Sequence, residues 1–320
     1  MAPLDPTQPP DLPPALEEIL AEAGGVTAVV AFRLPEEGER PPDRAPTALG
    51  RIEHLTQRPF ALASVMKLPL LVHLLRRVDA GALDLAARAP LGEADRVAGS
   101  GVLHLLDVGL APTVRDLMRL MMVVSDNMAT DALLARTTLE AVEAEMRALG
   151  YASVRLPHPI RAMLASLTTL GAGADYTSMR AAFRDPDRPA PADPEGASPE
   201  RGDRATPADL ARLLADLHAG RLLAPATTAL ALEILADCQT NTRIPADLPK
   251  GVRVGQKTGT LPGRANDVGV VHAPSGPFVL VLMNEGEADE RRASQVLARA
   301  ARWVYDAFEA EPGAAAAPTG

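Results

Sequence analysis

Along this 320-residue chain, strand-like runs stand at the two ends and helix-like runs fill the middle. Val26 to Leu34 and Leu49 to Leu55 read as strands joined through a Pro/Glu/Arg-rich hairpin loop at Pro35 to Pro46. Near the other end, Val252 to Lys257, Val268 to His272 and Phe278 to Met283 are short apolar runs separated by Gly, Pro and Asn turns. Strand edges need partners, so the economical closure is one sheet built from both chain ends with the helices inserted between. The expected class is α/β (α+β): a five-stranded antiparallel sheet flanked by helices, with an all-helical subdomain. On this reading residues 1–59 and 239–320 make the α/β part and 60–238 the helical part. The proline-crowded residues 1–14 form an extended tail, and Asp185 to Arg204 a flexible insert.

The helices carry their own punctuation. Pro14 to Ala23 is closed by Gly24-Gly25, and Leu139 to Leu149 by Gly150. Thr113 with Asp116 three residues on opens a helix to Val124, and another spans Asp126 to Arg136. Thr206-Pro207-Ala208-Asp209 opens one that Gly220 ends, followed by Ala226 to Asp237 and a final helix from Asp289 to Ala310. The stretch Ser64 to Val78 is apolar on nearly all sides, the mark of a helix buried within a domain. Pro69 is awkward there, and implies either a distortion or a later regular start.

Charge and cysteine usage remove several function classes. A formal charge of -9 without a Lys/Arg-rich run disfavours nucleic acid and anionic lipid as partners. Cys238 is the only cysteine, which precludes an intramolecular disulfide and speaks against a thiolate metal site. His54, His73, His104, His218 and His272 show no ligand spacing, so no metal or cofactor is expected. The opening MAPLDPTQPPDLPP has neither the basic start nor the apolar stretch of an export signal, so the expected location is cytoplasmic, or secreted if a leader has been removed.

The chemistry resides in three short motifs. Ser64-Val65-Met66-Lys67 sets a hydroxyl and an amine three residues apart, on one helix face. Ser125-Asp126-Asn127 follows 61 residues later, and Lys257-Thr258-Gly259-Thr260 stands on a predicted strand. Of 32 basic residues only three are lysines, Lys67, Lys250 and Lys257, and two of these fall inside the motifs. Arginine cannot give up its proton, whereas a desolvated lysine can.

These three elements in this order resemble the signature set of class A beta-lactamases and penicillin-binding serine hydrolases. The resemblance runs from Val26 to the final helix and includes Asn266-Asp267. It implies that Ser64 attacks a carbonyl carbon to form an acyl-enzyme while Lys67 accepts its proton, with Ser125 relaying that proton to the leaving nitrogen. It implies an oxyanion hole from the backbone N–H groups of Ser64 and Thr260. Asn127 is expected to hold the substrate amide, Lys257 to keep the pocket positive, and Thr258, Gly259 and Thr260 to line it and bind a substrate carboxylate. Arg264 is a candidate second carboxylate partner, since Ala265 falls where the family's arginine is expected.

One departure stands out. Class A enzymes carry a glutamate after the middle helices that activates the deacylating water, yet Tyr151 to Ala174 contains no carboxylate. His158 is the side chain there that titrates near neutrality; Asp175, Glu195 or Glu200 could enter only if the loop folds back. The expected function is a beta-lactamase-like serine hydrolase acting on a small-molecule amide or ester. The alternatives are a slow-deacylating penicillin-binding or DD-peptidase-like protein and a non-catalytic binding module.

Overall fold

The computed structural model describes residues 12–34, 50–171, 173–185, 187, 195–198 and 200–310. Residues 1–11 of the expected tail, the hairpin loop at 35–46 and part of the 185–204 insert lie outside the described residues, while Pro14, expected at the end of the tail, is the first residue of a helix. Five strands form one antiparallel sheet: β1 (Val26–Arg33), β2 (Arg51–His54), then, after the short β3 (Phe60–Ala61) and β4 (Arg204–Ala205), the long β5 (Arg253–Leu261), β6 (Arg264–Ala273) and β7 (Gly276–Glu285). Their order is β2-β1-β7-β6-β5, so the amino-terminal hairpin pairs with the last strand of the chain. β3 and β4 make a separate two-stranded pairing. The three carboxy-terminal strands run nine or ten residues, longer than their apolar runs suggested. Polar motif residues continue the ladder, with Thr258 opposite Asp267 and Gly259 opposite Asn266.

The sheet is buried on both faces, which is why its inner strands read as continuous apolar runs. In β7, Phe278, Leu280 and Leu282 pack with Leu16, Leu297, Val304 and Phe308 of the terminal helices α1 (Pro14–Ala21) and α10 (Glu290–Ala310). Their neighbours Val279, Val281 and Met283 turn the other way, toward Leu71, Leu74 and Leu75. Alternation of side chains along a strand thus splits one apolar run between two cores.

The second core is built around α2 (Lys67–Asp79), whose residues Lys67 to Leu75 are all buried. The regular helix starts at Lys67, later than Ser64, after a 3-10 turn at Ala63–Met66. Pro69 therefore sits in the first turn, where its missing N–H has no intrahelical acceptor to lose. Around α2 stand α3 (Val114–Val123), α4 (Asn127–Leu134), α5 (Leu139–Ala148), α6 (Ile160–Ser166), α7 (Tyr176–Arg184), α8 (Pro207–His218) and α9 (Pro225–Ala236). Thr113 and Asp116 form the reciprocal capping box at the start of α3, and the Thr206 hydroxyl accepts the Asp209 N–H at the start of α8. Helices α6 and α7 were not legible in the sequence; each is short, and α6 lacks a capping side chain. Among the described residues, no helix is long and apolar enough to cross a membrane.

Candidate active site

Ser64 is partly buried in the 3-10 turn between β3 and α2, directly after Ala63, which has a positive φ of 50°. A left-handed alanine is costly and persists only where its surroundings over-determine it. Here Asn266 on β6 donates its amide to the carbonyls of Ala61 (2.8 Å) and Leu62 (3.2 Å), and Leu62 donates its N–H to the Asp203 carbonyl (2.8 Å). Gly259 completes the clamp. A Cβ at that position would lie 2.4 Å from the Leu62 carbonyl oxygen, so only glycine lets β5 press against the turn that carries Ser64.

The first residue of α2 sends its amine into a buried polar cluster. Lys67 Nζ donates to the Ser125 carbonyl (2.7 Å), the Ser125 Oγ (3.0 Å) and the Asn127 Oδ1 (2.9 Å). From β5, Lys257 Nζ reaches the same Ser125 Oγ at 3.2 Å and the Thr258 carbonyl at 2.9 Å. A hydroxyl oxygen has two lone pairs, so it can accept from both amines and keep its own proton to give. Ser125 is another left-handed non-glycine residue, with φ of 55°, so strain is stored in both serine-bearing turns. Asp126 next to it is fully buried but committed: its carboxylate accepts the N–H groups of Val102, Leu103 and Ala129 and caps α4. Asn127 also donates to the Ala98 carbonyl at 3.1 Å.

Both lysines are wholly buried, and burial is the main force that drives their amines toward the neutral form. Lys67 is held well below the usual lysine range by burial and then by the neighbouring charge of Lys257, with Asp126 and Asp131 opposing. Burial brings Lys257 down to about 8, against the opposing pull of Cys238 and Asp267. Burial pushes the carboxyl of Asp267, on β6, up to about 7. A base that can shed its proton near neutrality beside a hydroxyl is the equipment of nucleophilic acyl transfer.

On the outer end of β5, Thr258 is buried and Thr260 is exposed. Arg264, a candidate carboxylate partner in the sequence, pairs with Glu285 at 3.0 Å. The arginine at Thr260 is Arg243, which donates to the Thr260 hydroxyl (2.7 Å) and to the carbonyls of Gly259 (3.0 Å) and Asn266 (2.8 Å). It is almost fully buried. No motif or spacing marks it in the sequence, because it reaches the strand from a turn outside the sheet.

The segment that lacks carboxylates places α6 beside α4. Ile160 is fully buried, and its N–H and that of Arg161 donate to Asp131 (2.9 and 3.1 Å). His158 is partly exposed and donates its backbone N–H to Asp203 at 3.4 Å. Asp175 is occupied as the cap of α7, and Glu200 lies beside the Ser198 hydroxyl. None of these four acids makes a hydrogen bond to Lys67 or Ser125.

A sheet built from both chain ends, a helical insert and a buried Lys–Ser–Lys cluster define a serine acyl-transfer hydrolase of the penicillin-recognising type. The model of the beta-lactamase enzyme family matches residues 15–308, and the chain belongs to that family. A beta-lactamase from Sphaerobacter thermophilus DSM 20745 is similar at 29% identity, covering 93% of this chain and 98% of its own, with a TM-score of 0.73. A variant of the last common ancestor of Gram-negative bacteria class A beta-lactamases shares 28% identity over 92% of this chain and 97% of its own, with a TM-score of 0.71. A point mutant of PBP-A, solved as an acyl-enzyme complex with penicillin G, shares the fold at 21% identity and a TM-score of 0.72, covering 92% and 95% of the two chains. No curated protein matches the chain.

Proposed function

We propose that this beta-lactamase-type serine hydrolase opens a small-molecule amide or ester, of the beta-lactam kind, by forming an acyl-enzyme on Ser64. One observation carries the reading: a single hydroxyl, Ser125 Oγ, lies between the amines of Lys67 (3.0 Å) and Lys257 (3.2 Å). In this scheme neutral Lys67 takes the Ser64 proton as Oγ attacks the carbonyl carbon. The tetrahedral oxyanion is met by the Ser64 and Thr260 N–H groups, each worth about 3 to 4 kcal/mol in comparable sites. Ser125 then passes a proton to the leaving nitrogen or oxygen and is replenished from Lys67. Asn127 orients the substrate amide. Lys257, Thr258, Thr260 and the buried Arg243 receive the substrate carboxylate, a charge-assisted contact.

The carboxylate-free segment at 151–174 favours a second step far slower than the first. The scheme therefore predicts an adduct that outlives acylation, the behaviour of a penicillin-binding protein on a beta-lactamase scaffold. A fluorescent penicillin followed by intact mass tests both parts. Ser64 should gain one penicillin mass, Ser64→Ala should gain none, and the adduct should persist for hours after free ligand is removed. Labelling that survives Ser64→Ala sinks the nucleophile; return to the unmodified mass within seconds sinks the slow second step. A cytoplasmic location belongs to the same reading, and cell fractionation tests it.

A further inference from the structure

Exposed apolar side chains are few in this protein, and they are not scattered. Among the described residues seven large ones are exposed, and five of these fall within nine positions: Val102, Leu105, Leu106, Val108 and Leu110. A single exposed leucine needs no explanation, but a run of them marks a surface that something apolar covers. The run is firmly built. Asp126 accepts the Val102 and Leu103 N–H groups at 2.7 and 2.8 Å, and the N–H groups of Leu105 and Leu106 turn back to the carbonyls of Val102 (2.9 Å) and Leu103 (3.2 Å). Arg96 donates to the carbonyls of His104 and Leu106, while Gly109 donates to the Leu91 carbonyl (3.1 Å) and Leu91 to the Leu110 carbonyl (2.8 Å). The backbone polarity is thus spent within the protein, and hydrocarbon is left facing outward.

This surface begins at the candidate active site. Asn127 donates its N–H to the Ser100 carbonyl (3.0 Å) and its side-chain amide to the Ala98 carbonyl (3.1 Å). A Cβ on Gly101, whose φ is +107°, would lie 2.4 Å from the Asp126 Cα, so glycine lets the 98–103 segment lie directly on the Ser125 turn. In the 3-10 turn at Leu103–Leu105, side chains three apart eclipse. Val102 and Leu105, 41% and 55% exposed, therefore share one face, while Leu103 and His104 point inward. We propose that Val102 and Leu105, extended by Leu106, Val108 and Leu110, form an apolar shelf for the acyl part of the substrate, so that the enzyme prefers amides or esters of long-chain, apolar acids. The inference rests on the reading of Ser64 as nucleophile and of Asn127 as the residue that holds the substrate amide. An acyl group held at Asn127 has the 98–103 segment beside it, and the shelf continues from there. Residues 102–110 hold one acid, Asp107, and no Lys or Arg. The shelf therefore offers hydrophobic contact to a hydrocarbon chain and no ion pair to an anionic one.

The p-nitrophenyl esters of acetic and octanoic acid, which differ by six methylenes, test this through the burst of nitrophenolate that reports acylation. Full burial of a methylene is worth about fourfold and a shelf covers one side of a chain, so at about twofold per methylene the octanoyl ester should acylate about 60-fold faster than the acetyl ester. In the double variant Val102→Ser, Leu105→Ser the ratio of the two rates should fall to about tenfold or less. A ratio that stays where it was overturns the shelf, as do two rates that fall together, the mark of a purely structural role. A burst that survives Ser64→Ala defeats the acyl-enzyme reading, and a measurement without chemistry then decides the shelf. Octanamide titrated into the unaltered protein should shift the methyl signals of Val102, Leu105 and Leu106, and shifts confined to other residues overturn the proposal. Sedimentation supplies the last check: a dimer that the double variant turns into a monomer would assign this face to a second copy of the chain and overturn its role toward substrate.

Discussion

Two neighbouring regions of this molecule are furnished in opposite ways. The turn before α2, the Ser125 turn and β5 gather two buried amines, two serine-bearing turns with left-handed residues and an asparagine into one cluster. The 157–166 segment, packed on α4 through Asp131, turns a buried isoleucine inward. The difference teaches that, under the proposed scheme, the two halves of a hydrolytic cycle are furnished separately: the cluster equips acylation, while the neighbouring segment offers no carboxylate for the hydrolytic half.

The contrast is broken most severely at Lys67. Lys67→Arg keeps a cation but removes an amine that burial drives toward the neutral form, so on the proposed scheme the rate of penicillin adduct formation should fall by about 10³-fold; stopped-flow fluorescence with a reporter penicillin measures it, and a loss under tenfold would overturn Lys67 as the base. Gly259→Ala comes next. The new Cβ would collide with the Leu62 carbonyl and push β5 from the Ser64 turn, and acylation should drop by about 10²-fold with the circular dichroism spectrum retained.

pH sharpens the comparison further. On the proposed scheme, in which the neutral Lys67 amine is the base and Lys257 holds the substrate carboxylate, acylation should climb as pH rises through the depressed Lys67 value and fall again above about 8 as Lys257 loses its charge. Each limb should approach tenfold per pH unit. In Lys257→Arg the falling limb should vanish; if it stays near pH 8, another group sets it.

The smallest effect belongs to the segment's own anchor. Asp203 is fully buried, one of its oxygens has no hydrogen-bond partner among the described residues, and burial pushes its carboxyl up to about 7. The folded state thus keeps a proton that the unfolded chain releases above about pH 4, so this group's contribution falls as pH rises from about 4 to about 7. Asp203→Asn should remove that decline and raise stability at pH 8 by about 1 to 2 kcal/mol, read by urea unfolding, with little change at pH 4. Equal gains at both pH values would show the carboxyl to be charged throughout.

Much of this was legible in advance, and for identifiable reasons. The strands-outside, helices-inside order forecast a single sheet from both ends, and Thr113/Asp116 and Thr206/Pro207 marked helix starts because caps are local chemistry. Helix α6 was illegible since it starts on Pro159 with no capping side chain and is seven residues long. The regular part of α2 begins three residues after Ser64, a delay hidden in the sequence because a 3-10 turn and an α-helix share the same short-range pattern. Arg243 escaped notice for the opposite reason: nothing near it in the chain distinguishes it from the other arginines, and only its arrival under β5 gives it meaning. The same contact geometry turned Arg264 to Glu285.

The amino-acid order alone determined which segments become strands and helices and which side chains can do chemistry, since hydrophobic period, turn residues and the scarcity of lysine are properties of neighbours along the chain. Only the tertiary structure decided that Lys67 and Lys257 share one hydroxyl, that Arg243 underlies Thr260, and that Asp131 ties the start of α6 to α4. Those contacts join residues 17 to 132 positions apart along the chain. Their distances follow from how the cores pack, and no local preference encodes them.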